Sequence, residues 1–117
     1  MSSRLELIPL DNFPRVVPGD DLAALICASL DASALQLHRD DVLVLAQKIV
    51  SKAENRYAYL SAVQVSPEAR ELARRADKDE RLVQLILDES REVLRVRPGV
   101  IIVEHRIGYV HANAGID

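Results

Sequence analysis

Two consecutive amphipathic segments, residues 66–93, constrain the fold of this chain more than any other feature. The run "SPEARELARRAD" is typical of a helix start, because Ser66 can cap the helix, Pro67 suits its first turn and Glu68 lies near the positive end of the dipole. A second helix is predicted over about 80–93, and the short connection between the two predicts an antiparallel helical pair. Apolar residues recur at helical spacing in both segments: Ala69, Leu72, Ala73 and Ala76, then Leu82, Val83, Ile86, Leu87 and Val93.

Three further apolar runs predict strands. The run "LELIPL" alternates and predicts a short strand that ends or lies at a sheet edge near Pro9. The run "DVLVLAQ" is apolar on both alternating faces, which predicts a strand buried at the centre of a sheet. The third run, "RPGVIIVEHRIGYVHANAGID", predicts a buried strand from Val100 to Glu104, a tight turn at Gly108 and a second strand through Tyr109 and Val110.

One more helix is predicted near the N-terminus. The loop composition of "DNFPRVVPGDD" leads to a helix cap at Asp20. The lone Cys27 falls within this helix and is expected to be a small core residue. The buried face of the helix is predicted to contain Leu22, Leu25, Ile26 and Leu30. Together the elements predict a single α+β domain over residues 1–117, with an aliphatic core, a mixed sheet and a helical pair.

Composition excludes several classes of protein. Apolar residues make up 49% and charged residues 28% of the 117 residues, which is typical of a globular protein and argues against a membrane span. Aromatic residues make up 3%, so a stacking platform for single-stranded nucleic acid has few residues to build from. The net charge of −3 gives no positive field for a nucleic acid partner. The single cysteine and the absence of a long apolar leader predict a cytoplasmic protein.

The segment "AQKIVSKAENR" is the first candidate site. Lys48 and Lys52 are four residues apart, so both ammonium groups lie on one face whether the segment is a helix or a strand. With Gln47 and Ser51 nearby, this face could bind a phosphate at the end of a buried strand. The alternative is that two exposed lysines only solvate the surface. The segment is not a P-loop, because no glycine-rich run precedes either lysine.

The run "HANAGID" is the second candidate site, since it presents a carboxylate at Asp117. Asp suits Mg²⁺ or Mn²⁺, but one carboxylate rarely holds either ion, so a frayed end is the alternative. The three histidines have no partner at a zinc-binding spacing, which favours structural or surface roles for His38, His105 and His111.

The order of four segments resembles the N-terminal half of the coenzyme F420-0:L-glutamate ligases, also called gamma-glutamyl ligases. These segments are "LDNFPRVVPGDDLAALI", "DDVLVLAQKIVSKAENR", "SPEARELARRADKDERLVQLILDES" and "IIVEHRIGYVHANAGID". The resemblance implies a gamma-glutamyl ligase-like fold and a homodimeric enzyme that adds L-glutamate through a γ linkage to coenzyme F420-0. In that reaction GTP converts the precursor's carboxylate into an acyl phosphate, and the amine of L-glutamate then displaces phosphate. The implied cofactors are GTP as a substrate and Mg²⁺ or Mn²⁺, with K⁺ as a further candidate.

The resemblance also implies roles for particular residues, although it assigns no catalytic residue. It implies a nucleotide-contacting loop of Phe13, Pro14, Arg15 and Val16, a second nucleotide-binding segment of Gln47, Lys48 and Lys52, and a divalent-metal ligand at Asp117. The family continues beyond this aspartate through further acidic ligands. The chain is therefore expected to carry part of the site, and a C-terminal half is expected to be missing.

Three residues depart from the family's usual pattern. Asp40 and Asn55 stand where glycine is usual; Asn tolerates the left-handed conformation that glycine favours, and Asp does so less readily. Ile107 stands where a histidine is common, so no catalytic role is assigned there. Two alternatives stay open: a non-catalytic α+β binding or assembly module with a ligase-like fold, and a bifunctional gene with a nitroreductase-like domain after the ligase.

Overall fold

The computed structural model describes residues 3–117, and this part of the chain forms two compact units, one up to Tyr57 and one over Ala58–Asp117. The first unit contains α1 (Leu22–Ala32) and α2 (Gln47–Ala53). The second contains a 3-10 turn (Leu60–Ala62), α3 (Pro67–Ala76), α4 (Glu80–Glu89), β1 (Ser90–Arg97), β2 (Val100–His105), β3 (Val110–Ala112) and a second 3-10 turn (Asn113–Gly115). The predicted α+β class is confirmed, and the single domain stays a prediction.

The second unit is a three-stranded sheet with the order β1-β2-β3, packed against the predicted helical pair. Both strand pairings are antiparallel, so the prediction of a mixed sheet is wrong for the described residues. The predicted hairpin formed by β2 and β3 is confirmed. The residues of the core are aliphatic, as predicted: Ala69, Leu72, Ala73, Ala76, Val83, Ile86, Ile101, Val103 and Ala114.

The predicted second helix is too long at its C-terminal end. Helix α4 ends at Glu89, and the backbone of Ser90 is extended, with φ −105° and ψ 144°. The Ser90 hydroxyl donates to the carbonyl of Ile86 and so satisfies one free acceptor of the last turn. From Ser90 the chain pairs with β2, where Val93 lies opposite Val103. Val93 thus keeps its predicted contact with the core but reaches it from a strand.

Side-chain caps define the starts of three helices. Ser66 accepts from the Ala69 N–H at 3.1 Å, as its sequence context predicts. Helix α1 is capped by Asp21, which accepts from the Ala24 N–H, and not by the predicted Asp20. Helix α4 is capped by Asp79. The hydrogen bond from the Arg81 side chain lowers the pKa of the Asp79 carboxyl to about 2. The Asp79 carboxylate therefore stays ionised in the pH range where an ordinary carboxyl becomes protonated. It is neutralised only as the pH falls towards about 2.

The Ser66 cap gives the first testable prediction. Replacing Ser66 with alanine removes an acceptor for an orphan helix N–H and should lower the free energy of unfolding by about 1 kcal/mol. Ser61→Ala, at an exposed position in the 3-10 turn, is the matched control and should change stability by less than about 0.5 kcal/mol. Urea unfolding followed by circular dichroism measures both variants. Equal stability of the two would contradict the capping role.

The first unit lacks the two strands that the sequence predicts. Residues 5–10 and 41–46 form no ladder. Their apolar side chains are largely exposed, with Leu5 at 85% and Val44 at 88%. A strand needs a second strand to satisfy its N–H and C=O groups, and the described part of this unit offers none. The expectation for Cys27 is also wrong, because this residue is exposed on α1.

Among the described residues, no helix is long and apolar enough to cross a membrane.

Candidate functional site

A short loop in the first unit contains four predicted site residues. The side chain of Val16 is only 6% exposed and anchors the loop. A turn follows, in which the Val17 N–H donates to Asp20 Oδ2 at 2.8 Å and the Asp20 N–H donates to the Val17 carbonyl at 3.1 Å. The other three residues of the loop are half-buried or exposed: Phe13, Pro14 and Arg15. The loop is therefore held at one end and offers its remaining surface to a ligand.

One backbone hydrogen bond joins this loop to α2. The N–H of Gly19 donates to the carbonyl of Ala53, the last residue of α2, at 3.0 Å. Gly19 has a φ of +89°, which is unfavourable for other residues. The two predicted nucleotide-binding segments, which are more than 30 positions apart in the sequence, are thus connected in the same unit.

Helix α2 places both candidate lysines on one face. Lys48 and Lys52 are four residues apart in this helix, with Lys48 exposed and Lys52 half-buried in the last turn. Lys52 also lies near the negative end of the helix dipole, which favours its charge. Gln47 is exposed at the first position, and Ser51 donates its hydroxyl hydrogen to the Lys48 carbonyl at 3.1 Å. The binding of a nucleotide by these residues stays a prediction.

The two positions at which the sequence resemblance implies glycine, Asp40 and Asn55, are both left-handed. Asn55 has a φ of 54° immediately after α2, and the Arg56 N–H donates to the Ser51 carbonyl across it at 2.8 Å. This is the arrangement of a Schellman motif, in which Asn is an accepted replacement for Gly. Asp40 has a φ of 73° in a turn where Asp41 Oδ2 accepts from the His38 N–H. The substitutions thus leave the helix end and the turn intact.

A shallow groove of about 240 Å³ lies beside the loop in the first unit. Pro14 belongs to its wall, together with residues of α1. The remaining residues that line the groove are Asp11, Asn12, Leu25, Ala28, Ser29, Ala32 and Ser33. A mixed apolar and polar lining of this kind suits part of a small-molecule ligand.

Asp117 follows a left-handed turn in the second unit. The φ angles of Asn113, Ala114 and Gly115 are 53°, 54° and 72°. Asn113 Oδ1 accepts from the Ile101 N–H at 3.0 Å, and Ala114 is only 5% exposed in the core. Left-handed non-glycine residues persist where the surroundings determine them. Asp117 itself is exposed at the end of this fixed turn.

The described residues do not form a complete metal site. No group of three or more His, Cys, Asp or Glu side chains among residues 3–117 is close enough to hold an ion. A divalent cation such as Mg²⁺ needs about six oxygen ligands, of which Asp117 could supply one or two. The carboxylate chemistry suits the ion, but the set of ligands in this part of the chain does not fit a complete site.

His105 forms a polar contact that the sequence analysis did not anticipate. Its side chain is buried, and its Nε2 lies 3.1 Å from Glu89 Oε2. The Ile107 N–H donates to Nδ1 at 3.2 Å, so the proton of the neutral ring lies on Nε2. The ring of Tyr109 stacks on His105. The only sequence signal was that His105 and His111 flank the predicted turn, which gives no indication of Glu89. A structural role for His105 agrees with the expectation for the histidines.

Comparison with known proteins gives one consistent result. Residues 12–117 match the family model described as F420-0:Gamma-glutamyl ligase. The chain is 44% identical over 113 residues to the "Coenzyme F420:L-glutamate ligase" of Methanothermobacter thermautotrophicus, an alignment that covers 97% of this chain and 45% of that protein. The proteins of the same name from Methanopyrus kandleri and Archaeoglobus fulgidus are 46% and 40% identical over 97% of this chain, which corresponds to 42% and 43% of their lengths.

The match covers nearly all of this chain but only part of each relative, so it establishes the family and not the activity of the chain. The chain spans less than half the length of these curated relatives. The match nevertheless includes every predicted site residue, from the loop at Phe13 to Asp117. On this evidence the chain belongs to the F420-0:gamma-glutamyl ligase family.

Proposed function

We propose that this chain supplies the nucleotide-contacting part of a ligase that uses GTP to add L-glutamate through a γ linkage to coenzyme F420-0 in F420 biosynthesis. The names of the relatives support the reaction class. The observation that carries the assignment to this chain is the Gly19–Ala53 hydrogen bond, because it joins the turn that follows the loop of Phe13–Val16 to the helix that contains Lys48 and Lys52. A loop and a cationic helix face held together are suited to a nucleotide's phosphates.

The reaction would proceed in two steps. The γ-phosphate of GTP is transferred to the precursor's carboxylate, which gives GDP and an acyl phosphate. The amine of L-glutamate then attacks the acyl carbon, phosphate leaves and an amide forms. The ammonium groups of Lys48 and Lys52 would offset the charge of the phosphates, and the loop of Phe13–Val16 would help to orient them.

Asp117 would be one ligand of the divalent ion that this chemistry uses. A bound Mg²⁺ or Mn²⁺ would supply positive charge that offsets the charge of the phosphates. The exposed carboxylate on a fixed turn supports this role for Asp117, while the other ligands would come from substrate phosphates, water or further polypeptide. K⁺ is a further candidate ion.

A homodimer belongs to the same proposal. Val42 and Val44 are 81% and 88% exposed, and both lie in the segment 41–46, whose apolar pattern is typical of a buried strand. Apolar surface of this kind commonly marks a protein interface. A second subunit, or further polypeptide of the ligase, would cover these side chains.

A product assay tests the proposed function. The chain is incubated with coenzyme F420-0, L-glutamate, GTP and Mn²⁺, alone and together with a polypeptide equivalent to the rest of a full-length relative. Mass spectrometry then detects the glutamylated product. Product in the combined sample supports the ligase, and product from the chain alone would contradict the need for further metal ligands. No product in either sample, with GTP still bound, would instead favour the non-catalytic binding module.

Lys52 gives a direct test of the nucleotide segment. Lys52→Ala should weaken GTP binding about tenfold, because a charge-assisted contact to phosphate is lost. Lys78→Ala is the matched control, since Lys78 is also half-buried but belongs to neither predicted segment. Isothermal titration calorimetry measures both affinities. If Lys52→Ala retains the unmodified affinity, this lysine does not belong to the site.

A further inference from the structure

The tip of the β2–β3 hairpin, residues 105–111, contains three rings in contact. The rings of His105 and Tyr109 are stacked, with centroids 4.6 Å apart and an angle of 11° between their planes. The ring of His111 meets Tyr109 edge-on, with centroids 6.1 Å apart and an angle of 87°. The chain has only four aromatic residues of the Phe, Tyr and Trp types. A cluster around one of them is therefore a distinctive feature of this surface.

His105 holds this cluster in place. The residue is 9% exposed, and contacts at both ring nitrogens, with Glu89 and with the Ile107 N–H, restrict rotation of the ring. The His105 N–H also donates to the Tyr109 carbonyl at 2.8 Å across the turn. The backbone and the ring of Tyr109 are thus both fixed before any ligand binds, which reduces the entropic cost of binding.

Tyr109 keeps an accessible surface. The residue is 41% exposed although His105 covers one face of its ring. Part of the residue therefore stays accessible to a ligand. An ordered aromatic residue that keeps accessible surface can contact a planar ring of a ligand.

Arg106 adds a positive charge to the same hairpin turn. The backbone N–H of Arg106 donates to the Glu89 carbonyl at 3.1 Å, and the backbone carbonyl of Arg106 accepts from the Arg91 side chain at 2.9 Å. Its side chain is exposed, and within the described part of the chain no carboxylate forms an ion pair with its guanidinium. Arg91, by contrast, is paired with Glu104. The hairpin tip thus presents a fixed aromatic face and, three residues away, an available cation.

We propose that the hairpin tip, residues 105–111, binds a planar heteroaromatic ring with an acidic substituent, with the ring stacked on Tyr109 and the anion contacted by Arg106. This inference deepens the proposed function and rests on it for the identity of the natural ligand, because the deazaflavin precursor has both a planar ring system and a carboxylate. The ring contact itself can be tested with simpler molecules.

Flavin mononucleotide and riboflavin are suitable probes, since they share a planar ring and differ in a phosphate. Quenching of flavin fluorescence measures their binding to the chain. Tyr109→Ala should weaken the binding of both probes about tenfold, while Tyr109→Phe should keep it within about twofold. Arg106→Ala should weaken the binding of flavin mononucleotide but not that of riboflavin. Tyr59→Ala is the matched control at an 80% exposed tyrosine and should have no effect.

Three results would overturn the inference. These are no binding of either flavin by the unmodified chain, full binding by Tyr109→Ala, and an equal loss in Tyr59→Ala. GTP affinity, measured on the same samples, separates this inference from the proposed function. If the unmodified chain binds GTP but neither flavin, only the role of the hairpin tip is rejected. Flavin binding that depends on Tyr109, without GTP binding or ligation, rejects only the proposed ligase.

Discussion

Truncation of Ile86 to alanine is expected to lower the free energy of unfolding by about 3 to 4 kcal/mol. Ile86 is fully buried on α4, where it belongs to a core made of residues of α3, α4 and β2 together with Ala114. The loss combines the transfer free energy of three carbon atoms with the cost of the cavity that remains. Because the core is aliphatic and built from small residues, few large side chains are available to fill this cavity.

The matched control for this prediction is Ile107→Ala. Ile107 is 78% exposed at the hairpin turn, so the same change in chemistry removes almost no buried contact. We expect this control to change the free energy of unfolding by less than about 0.5 kcal/mol. Chemical unfolding followed by circular dichroism measures both variants. Similar losses at Ile86 and Ile107 would contradict the packing of α4 against the sheet.

Replacement of Asn113 by alanine should destabilise the chain by about 2 to 3 kcal/mol. The change removes the acceptor of the buried Ile101 N–H and leaves this donor unsatisfied, which costs about 1 to 3 kcal/mol. It also places alanine at a φ of 53°, a conformation that asparagine tolerates better. Hydrogen exchange at the Ile101 amide should become faster in this variant.

Two controls separate the causes of this loss. Asn113→Asp keeps an acceptor oxygen and should retain most of the stability. Asn12→Ala changes another asparagine with positive φ, at 57°, in an exposed turn. It should show only the conformational part of the cost, about 1 kcal/mol. If Asn113→Ala loses no more stability than Asn12→Ala, the side-chain hydrogen bond to β2 does not stabilise the turn.

The helical pair and the hairpin could be predicted because their signals are local. A cap at Ser66 and apolar residues at helical spacing specify α3 without reference to the rest of the chain. The end of α4 could not be predicted in this way. The pattern continues to Val93, and only pairing with β2 decides that this residue belongs to a strand. Competition between helix spacing and a neighbouring strand is a tertiary effect.

The sequence identified the segments of the candidate site, but not the hydrogen bonds that connect distant residues. The resemblance assigned the loop of Phe13–Val16 and the lysines of α2, and the family match covers both segments. The Gly19–Ala53 hydrogen bond that joins them depends on the path of the chain and leaves no pattern in the sequence. The same is true of His105, since its partner Glu89 is 16 residues away on another element.

The sequence by itself determined the α+β class, the aliphatic core, the helical pair, the hairpin and the family. Each of these depends on local periodicity, on caps and turns, or on the order of motifs. Only the tertiary structure decided that the sheet is antiparallel, that residues 90–97 form its edge strand and that residues 41–46 have no strand partner within the described chain. The physical reason is that a strand exists only when a second strand accepts its hydrogen bonds. The apolar pattern of a segment predicts that it will be buried, but does not identify what buries it.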